Sequence, residues 1–119
     1  MAASSAFTYA IPDAYWHSES KGLFPSHESV CVLNVAKEAA HIAMTLYFED
    51  RPKIEGFSVV VEGERCAHIR MDKLVSADGQ TVPQNVPYAI VLVSDVKLDV
   101  QYTRMDTSQP EMAIMTTMV

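Results

Sequence analysis

Alternation of apolar and polar residues dominates the chain. In "AHIAMTLYFED", Ile42, Met44, Leu46 and Phe48 fall on one face, with His41, Thr45, Tyr47 and Glu49 on the other. A period of two is the period of a strand, whose successive side chains point to opposite faces. "GFSVVVEGE" repeats it through Phe57, Val59 and Val61, and "RCAHIRM" sets Ala67, Ile69 and Met71 against Cys66, His68 and Arg70. "KLDVQYTRM" alternates through Leu98, Val100 and Tyr102, and the second half of "FPSHESVCVLN" reads as a buried strand. "YAIVLVSDV" is a nearly continuous apolar run, as expected of a central strand.

Turn signals separate these runs: "NVAKEA", "EDRPKIEG", "EGE", "SADGQTVPQNVP" and "SDV". Short strands at short spacing, with turns between them, predict an all-β sandwich or barrel. Pro52, Pro83 and Pro87 fall in the loops, where a missing backbone N–H is tolerated. Helical periodicity is weak; "MDKLVSA" is long enough for a single turn. In the tail, from Gln109 to Val119, Met112, Met115 and Met118 recur every third residue, which fits either a short helix or an extended arm.

At 119 residues and 49% hydrophobic, the chain is expected to form one domain over residues 1–119 with one core. No apolar run reaches the roughly 20 residues of a membrane-spanning helix, so no membrane insertion is expected. The opening "MAASSAFTYAIP" has no basic residue and does not have the layout of a secretory signal. Cys31 and Cys66 sit inside strand-like runs, which predicts buried, reduced thiols and a cytoplasmic location. With nine Lys and Arg against fifteen Asp and Glu, the net charge is −6. No two basic residues are adjacent, so no patch for a polyanion is visible and nucleic acid is not an expected partner.

Three polar groups are candidate chemistry. Ser26, His27 and Glu28 stand at the mouth of a strand. Glu28 shares a face with Val30 and Val32, while His27 shares the other with Cys31 and Leu33. Ser26 and His27 lack the G-x-S-x-G elbow of a hydrolase, and the plain alternative is a loop bridge at the sheet edge. His68 and Arg70 lie two apart on one face, about 6.7 Å along the strand, and form either an anion grip or a solvated face. Tyr102, Arg104 and Asp106 alternate on another strand, as a polar pocket or as an Arg–Asp bridge at a subunit contact, with Gln101 and Thr103 opposite. No catalytic residue, metal ligand set or cofactor is assigned. A metal-assisted hydrolase at His27, Glu28 and His68 is the weakest alternative.

"SHESVCVLN", "LYFEDRP", "HIRMDKL" and "VQYTRMD", in this order and spacing, resemble the sensory rhodopsin transducer family, small proteins named for a cytosolic partner of a microbial rhodopsin. The similarity runs from "YAIPDAY" nearly to the C-terminus. It implies a jelly-roll-type β-sandwich akin to carbohydrate-binding sandwiches, assembled as a homotetramer, with no established enzymatic activity. The residues matching the shared pattern are Ser26, His27, Glu28, His68, Arg70, Thr103, Arg104 and Asp106. Two segments depart from it. Tyr9 stands where the family has tryptophan, with "DAYW" in place of Gly-Tyr-Ile-Pro. "EGER" replaces Pro-Ala-Arg-Arg and keeps only Arg65. These departures weigh against a rhodopsin as the partner.

Together these readings predict a signalling adaptor that binds protein partners as an oligomer. The alternative is a module for a small sugar or sugar acid, with Trp16 available to stack on a ring. They further predict that His27, Glu28, Arg70 and Arg104 meet in one cluster, which binds a ligand or fixes a subunit contact, with Asp106 or an anion balancing the two guanidiniums.

Overall fold

The computed structural model of the chain describes residues 6–119. Residues 1–5, part of the stretch read for a secretory signal, lie outside the described residues. The strands are β1 (Phe7–Ala14), β2 (His27–Asn34), β3 (Ala40–Phe48), β4 (Ile54–Val61), β5 (Arg65–Arg70), β6 (Tyr88–Ser94), β7 (Asp99–Asp106) and β8 (Ala113–Met118). They form two antiparallel sheets, in the orders β1-β6-β3-β4 and β5-β2-β7-β8. The sheets pack face to face as a β-sandwich. The chain changes sheet at every connection except β3–β4 and β7–β8, a winding expected of a jelly-roll-type sandwich.

The alternation decides which side chains lie between the sheets. Ile42, Met44 and Leu46 of β3 are buried, as are Phe57 and Val61 of β4 and Ile90 and Leu92 of β6. The second sheet contributes Val30, Val32, Ile69, Val100 and Tyr102. Burying each large aliphatic side chain is worth about 1.5–3 kcal/mol, so a register slip of one residue would turn this set out to solvent. "YAIVLVS" is central, paired with β1 on one side and β3 on the other. "MDKLVSA" supplies a single 3₁₀ turn at Met71–Lys73.

Three features differ from the sequence reading. The run before Tyr15 is a full strand, β1, which lies at a sheet edge where Pro12 is tolerated and whose pairing is irregular between Ile11 and Ala14. Of the two conformations open to the tail, the chain takes the extended one, pairing β8 with β7. The thiols are less buried than predicted: both are free, but Cys66 is exposed and Cys31 half-buried. Their strand positions face outward, opposite the core face.

One end of the sandwich is closed by Asn34. Its buried side-chain amide donates to the carbonyls of Glu38, Val61 and Glu62, at 2.9, 3.2 and 3.3 Å. Its oxygen accepts from the Ala36 backbone N–H at 3.0 Å. The β2–β3 loop thereby rests on the β4–β5 turn so closely that a Cβ on Gly63 would lie 1.9 Å from the Lys37 carbonyl oxygen.

Candidate functional site

At the other end, Glu28 points into the sandwich, as its parity with Val30 and Val32 requires, and is 1% exposed. A buried carboxylate needs partners for both oxygens. The Tyr88 hydroxyl, from the facing sheet, donates to Oε1. The Tyr102 hydroxyl donates to Oε2, which also accepts the Tyr15 backbone N–H at 2.8 Å. Burial pushes both phenols far above the ordinary tyrosine range, and the adjoining Glu28 carboxylate pushes them further. Both therefore remain donors throughout the neutral range. Arg104 sits opposite Glu28 in the β2–β7 register. Its Nε donates to the Tyr102 oxygen at 3.2 Å, and a terminal nitrogen reaches Asp13 Oδ1 at 3.4 Å. The sequence points to Tyr102 and Arg104 but not to Tyr88, Asp13 or the Tyr15 amide. The one available signal was the Glu28 face itself, since a carboxylate on an apolar face demands donors from across the core.

Ser26 forms a separate clamp. Its hydroxyl donates to the Glu19 carbonyl at 2.9 Å and accepts the Thr107 N–H at 2.9 Å. Its carbonyl receives the Trp16 indole N–H at 3.1 Å. Asn85 ties the same loop by accepting the Ser18 N–H at 3.0 Å. Asp106 accepts from the Ser108 hydroxyl at 2.6 Å and its N–H at 2.9 Å, with His17 3.4 Å away. The Ser108 bonds, side chain first and then backbone, hold the Asp106 carboxyl below the usual range, against a small opposing effect of burial.

His27, His68 and Arg70 lie on the other side of the second sheet. Arg70 pairs opposite Ser29 and His68 opposite Cys31. The His27 ring nitrogen Nδ1 lies 2.9 Å from the Pro25 carbonyl oxygen. Arg70 grips Asp72 with two bonds of 2.8 Å. The expected single cluster is therefore divided by the sheet. Glu28, Tyr102 and Arg104 meet on the inner side, whereas His27, His68 and Arg70 face out. Each guanidinium has its own aspartate, Asp13 for Arg104 and Asp72 for Arg70, so two like charges never converge. The same division separates Glu28 from His27 and His68 and removes the geometry of the metal-assisted alternative. Among the described residues, no group of three or more His, Cys, Asp or Glu is placed to hold a metal.

The family model for the Anabaena sensory rhodopsin transducer matches residues 5–119. The chain belongs to this transducer family. A solved structure of Thermotoga maritima 1070 is 31% identical, with a TM-score of 0.83 over 93% of this chain and 90% of that one. The solved Anabaena sensory rhodopsin transducer is 32% identical, with a TM-score of 0.73 over 87% of this chain and 90% of that one. No curated protein matches the chain.

In this transducer-family chain, the outer side of the first sheet carries no Asp, Glu, Lys or Arg at its cross-strand pairs. Val93 lies between Thr8 and Ala43, Val91 between Ala10 and Thr45, Tyr47 opposite Ala89 and Val60 opposite His41. Val60, Tyr47 and Val93 are exposed. At these pairs the ionisable groups are His41, whose ring lies 2.9 Å from Asp95 at the margin, and the Tyr47 phenol, while the exposed Asp13 and Glu55 stand where the pairing is irregular. A concavity of about 400 Å³ is lined by Phe7, Val35, Leu98, Lys97 and the acidic Glu38, Asp95 and Asp99, with no Arg, His, Trp or Tyr among its described lining residues. Among the described residues, no helix is long and apolar enough to cross a membrane.

Proposed function

We propose that this chain is a signalling adaptor of the transducer type, acting in the cytoplasm by protein–protein binding as a homotetramer. The observation that carries the reading is the run of uncharged cross-strand pairs on the outer side of the first sheet. A contiguous face of Val, Ala, Thr and Tyr on a chain of net charge −6 is the composition of a contact surface rather than of a solvated one. Family membership supports the transducer role, and two free thiols, one exposed, suit a reducing compartment. No rhodopsin is invoked as partner, because the opening segment around Tyr9 and Asp13 departs from the family's pattern.

The sugar-acid alternative has less support. Arg104, Tyr102 and Glu28 bond to one another and to Asp13, and the Trp16 indole N–H is held by Ser26. Little of that donor set is left for a ligand.

Multi-angle light scattering at micromolar concentration tests the proposal. Four times the 13.2 kDa chain mass is expected, and Val93→Asp, which puts a carboxylate into the uncharged face, should lower it. A 13.2 kDa wild-type species would overturn the assembly. An unchanged mass for Val93→Asp would remove this face from it. Saturable glucuronate binding that is lost in Arg104→Ala would favour the alternative.

A further inference from the structure

Away from the Glu28 site, the two thiols of the chain lie together on the outer side of the second sheet. Cys31 of β2 stands opposite His68 of β5, and Cys66 of β5 stands opposite Leu33 of β2. The thiols are therefore diagonal neighbours across one antiparallel strand pair, and strand parity puts them on the same face. With His68, Asp99, Gln101 and Met118 they line one concavity of about 230 Å³. Cys66 is exposed, Cys31 is half-buried and both are free. Burial, and then the neighbouring Cys66, raises the Cys31 thiol, so the two sulfurs act on each other across the strands.

The diagonal decides what this pair can hold. Such neighbours have Cα atoms about 7–8 Å apart, whereas a disulfide spans at most about 7 Å without movement of the backbone. The thiols are spaced too widely to bond directly to each other. A metal between them extends the reach, since two metal–sulfur bonds of about 2.3 Å hold the sulfurs about 4.6 Å apart. The number of donors then selects the metal. Zinc takes four ligands in a tetrahedron, and among the described residues no group of three or more His, Cys, Asp or Glu is placed to hold one. Met118 adds no third sulfur: it lies two strands from Cys31, and its sulfur accepts the Gln101 side-chain amide at 3.9 Å. A soft, closed-shell monovalent cation is satisfied by two thiolates in line, and thiolates select Cu(I). The Asp99 carboxylate in the same concavity favours a cation there.

We infer that Cys31 and Cys66 form a two-coordinate site for Cu(I). Both ligands come from one chain, so the site goes beyond the adaptor reading and does not depend on assembly. The chemistry balances without a change of oxidation state. Two S–H bonds are lost, two Cu–S bonds form, two protons pass to solvent and the copper stays monovalent. The bound ion ties β2 to β5, the edge strand of its sheet.

Anaerobic titration of the reduced chain with Cu(I), in competition with the chromophoric chelator bicinchoninate, tests the site. One Cu(I) per 13.2 kDa chain is expected to leave the chelator. Cys31→Ser and Cys66→Ser should each weaken binding by more than the ~10–100-fold that loss of an outer partner costs, whereas His68→Ala should leave stoichiometry and affinity unchanged. X-ray absorption of the loaded wild-type chain should count two sulfurs and no nitrogen around copper, a readout that needs no variant to fold. Zn(II) offered alone should be lost on desalting. Copper left wholly on the chelator, affinity kept in either cysteine variant, a nitrogen or third sulfur in the shell, retention of one Zn(II) per chain, or one copper per two chains would each overturn the inference. Light scattering on the same samples reports assembly separately: a 13.2 kDa species that still takes one Cu(I) upholds this site while overturning the tetramer.

Discussion

Raising the pH should unfold this protein through two phenols. Tyr88 and Tyr102 donate to Glu28 inside the sandwich, and burial followed by the Glu28 carboxylate raises both above their unfolded value. The sign follows from linkage. Below about pH 10 both states hold both protons, so the stabilisation is complete. Above it the unfolded chain releases two protons that the folded chain keeps, and stability falls as pH rises. Each phenol contributes about 1.4 kcal/mol per pH unit, so the pair gives a slope of about −2.7 kcal/mol per unit. Two units on that slope would remove a large share of the 5–15 kcal/mol typical of a domain. Urea unfolding between pH 9 and about 12, in a Cys31→Ser background, measures the slope. The background is needed because burial, and then Cys66, also raises the Cys31 thiol. Tyr88→Phe should reduce the slope to about −1.4 kcal/mol per unit. Stability that stays flat from pH 10 to 11, or tyrosinate absorbance showing both phenols ionised in the folded state, would refute the reasoning.

Three further outcomes are expected. Glu28→Gln keeps the shape but turns an acceptor into a donor facing a tyrosine hydroxyl, and should cost about 1.5–3 kcal/mol in urea unfolding with an unchanged far-ultraviolet spectrum. Asn34→Asp sets a carboxylate against the three carbonyls its amide now serves; the uncompensated charge should cost about 3–5 kcal/mol at neutral pH, and the loss should shrink in acid. Gly63→Ala must displace the Lys37 carbonyl, and its melting temperature should fall well beyond the ~0.5 kcal/mol equivalent of an ordinary surface change.

The strands were legible where period two was long and uninterrupted. β3 and the β4 face could be read because their inner positions are aliphatic or aromatic without a break, and β7 through the apolar Leu98, Val100 and Tyr102 that lead to its polar end. β1 escaped because Pro12 and the small residues around it blur the alternation, and its apolar partners come from β6, some eighty residues away. The tail stayed open between a short helix and an extended arm: a threefold methionine spacing fits a helix, and pairing with β7 decides for the extended form. At the site, the side of the sheet each residue faces was legible, since it follows from parity. Strand parity places Glu28 inward and His68 with Arg70. It also sets Arg70 on the face opposite Ile69 and Arg104 on the Tyr102 face, but it carries no information on which strand lies next to which, and so gave no means of seeing that Arg104 stands across from Glu28. The Tyr88 contact depends on the facing sheet and on no local signal.

The crossing of the chain from sheet to sheet has a kinetic consequence. The Glu28 site gathers groups from Tyr15, Glu28, Tyr88 and Tyr102, separated from Glu28 by 13, 60 and 74 residues. Closing such long loops costs entropy before any contact offsets it, and topologies dominated by distant pairings fold slowly, over milliseconds to seconds. The β3–β4 and β7–β8 hairpins can form early, while the carboxylate and its two phenols come together only when both sheets are nearly complete. Changes at Glu28 would then act on the unfolding rate more than on the folding rate. The polar centre works as a late latch that holds a finished sandwich shut.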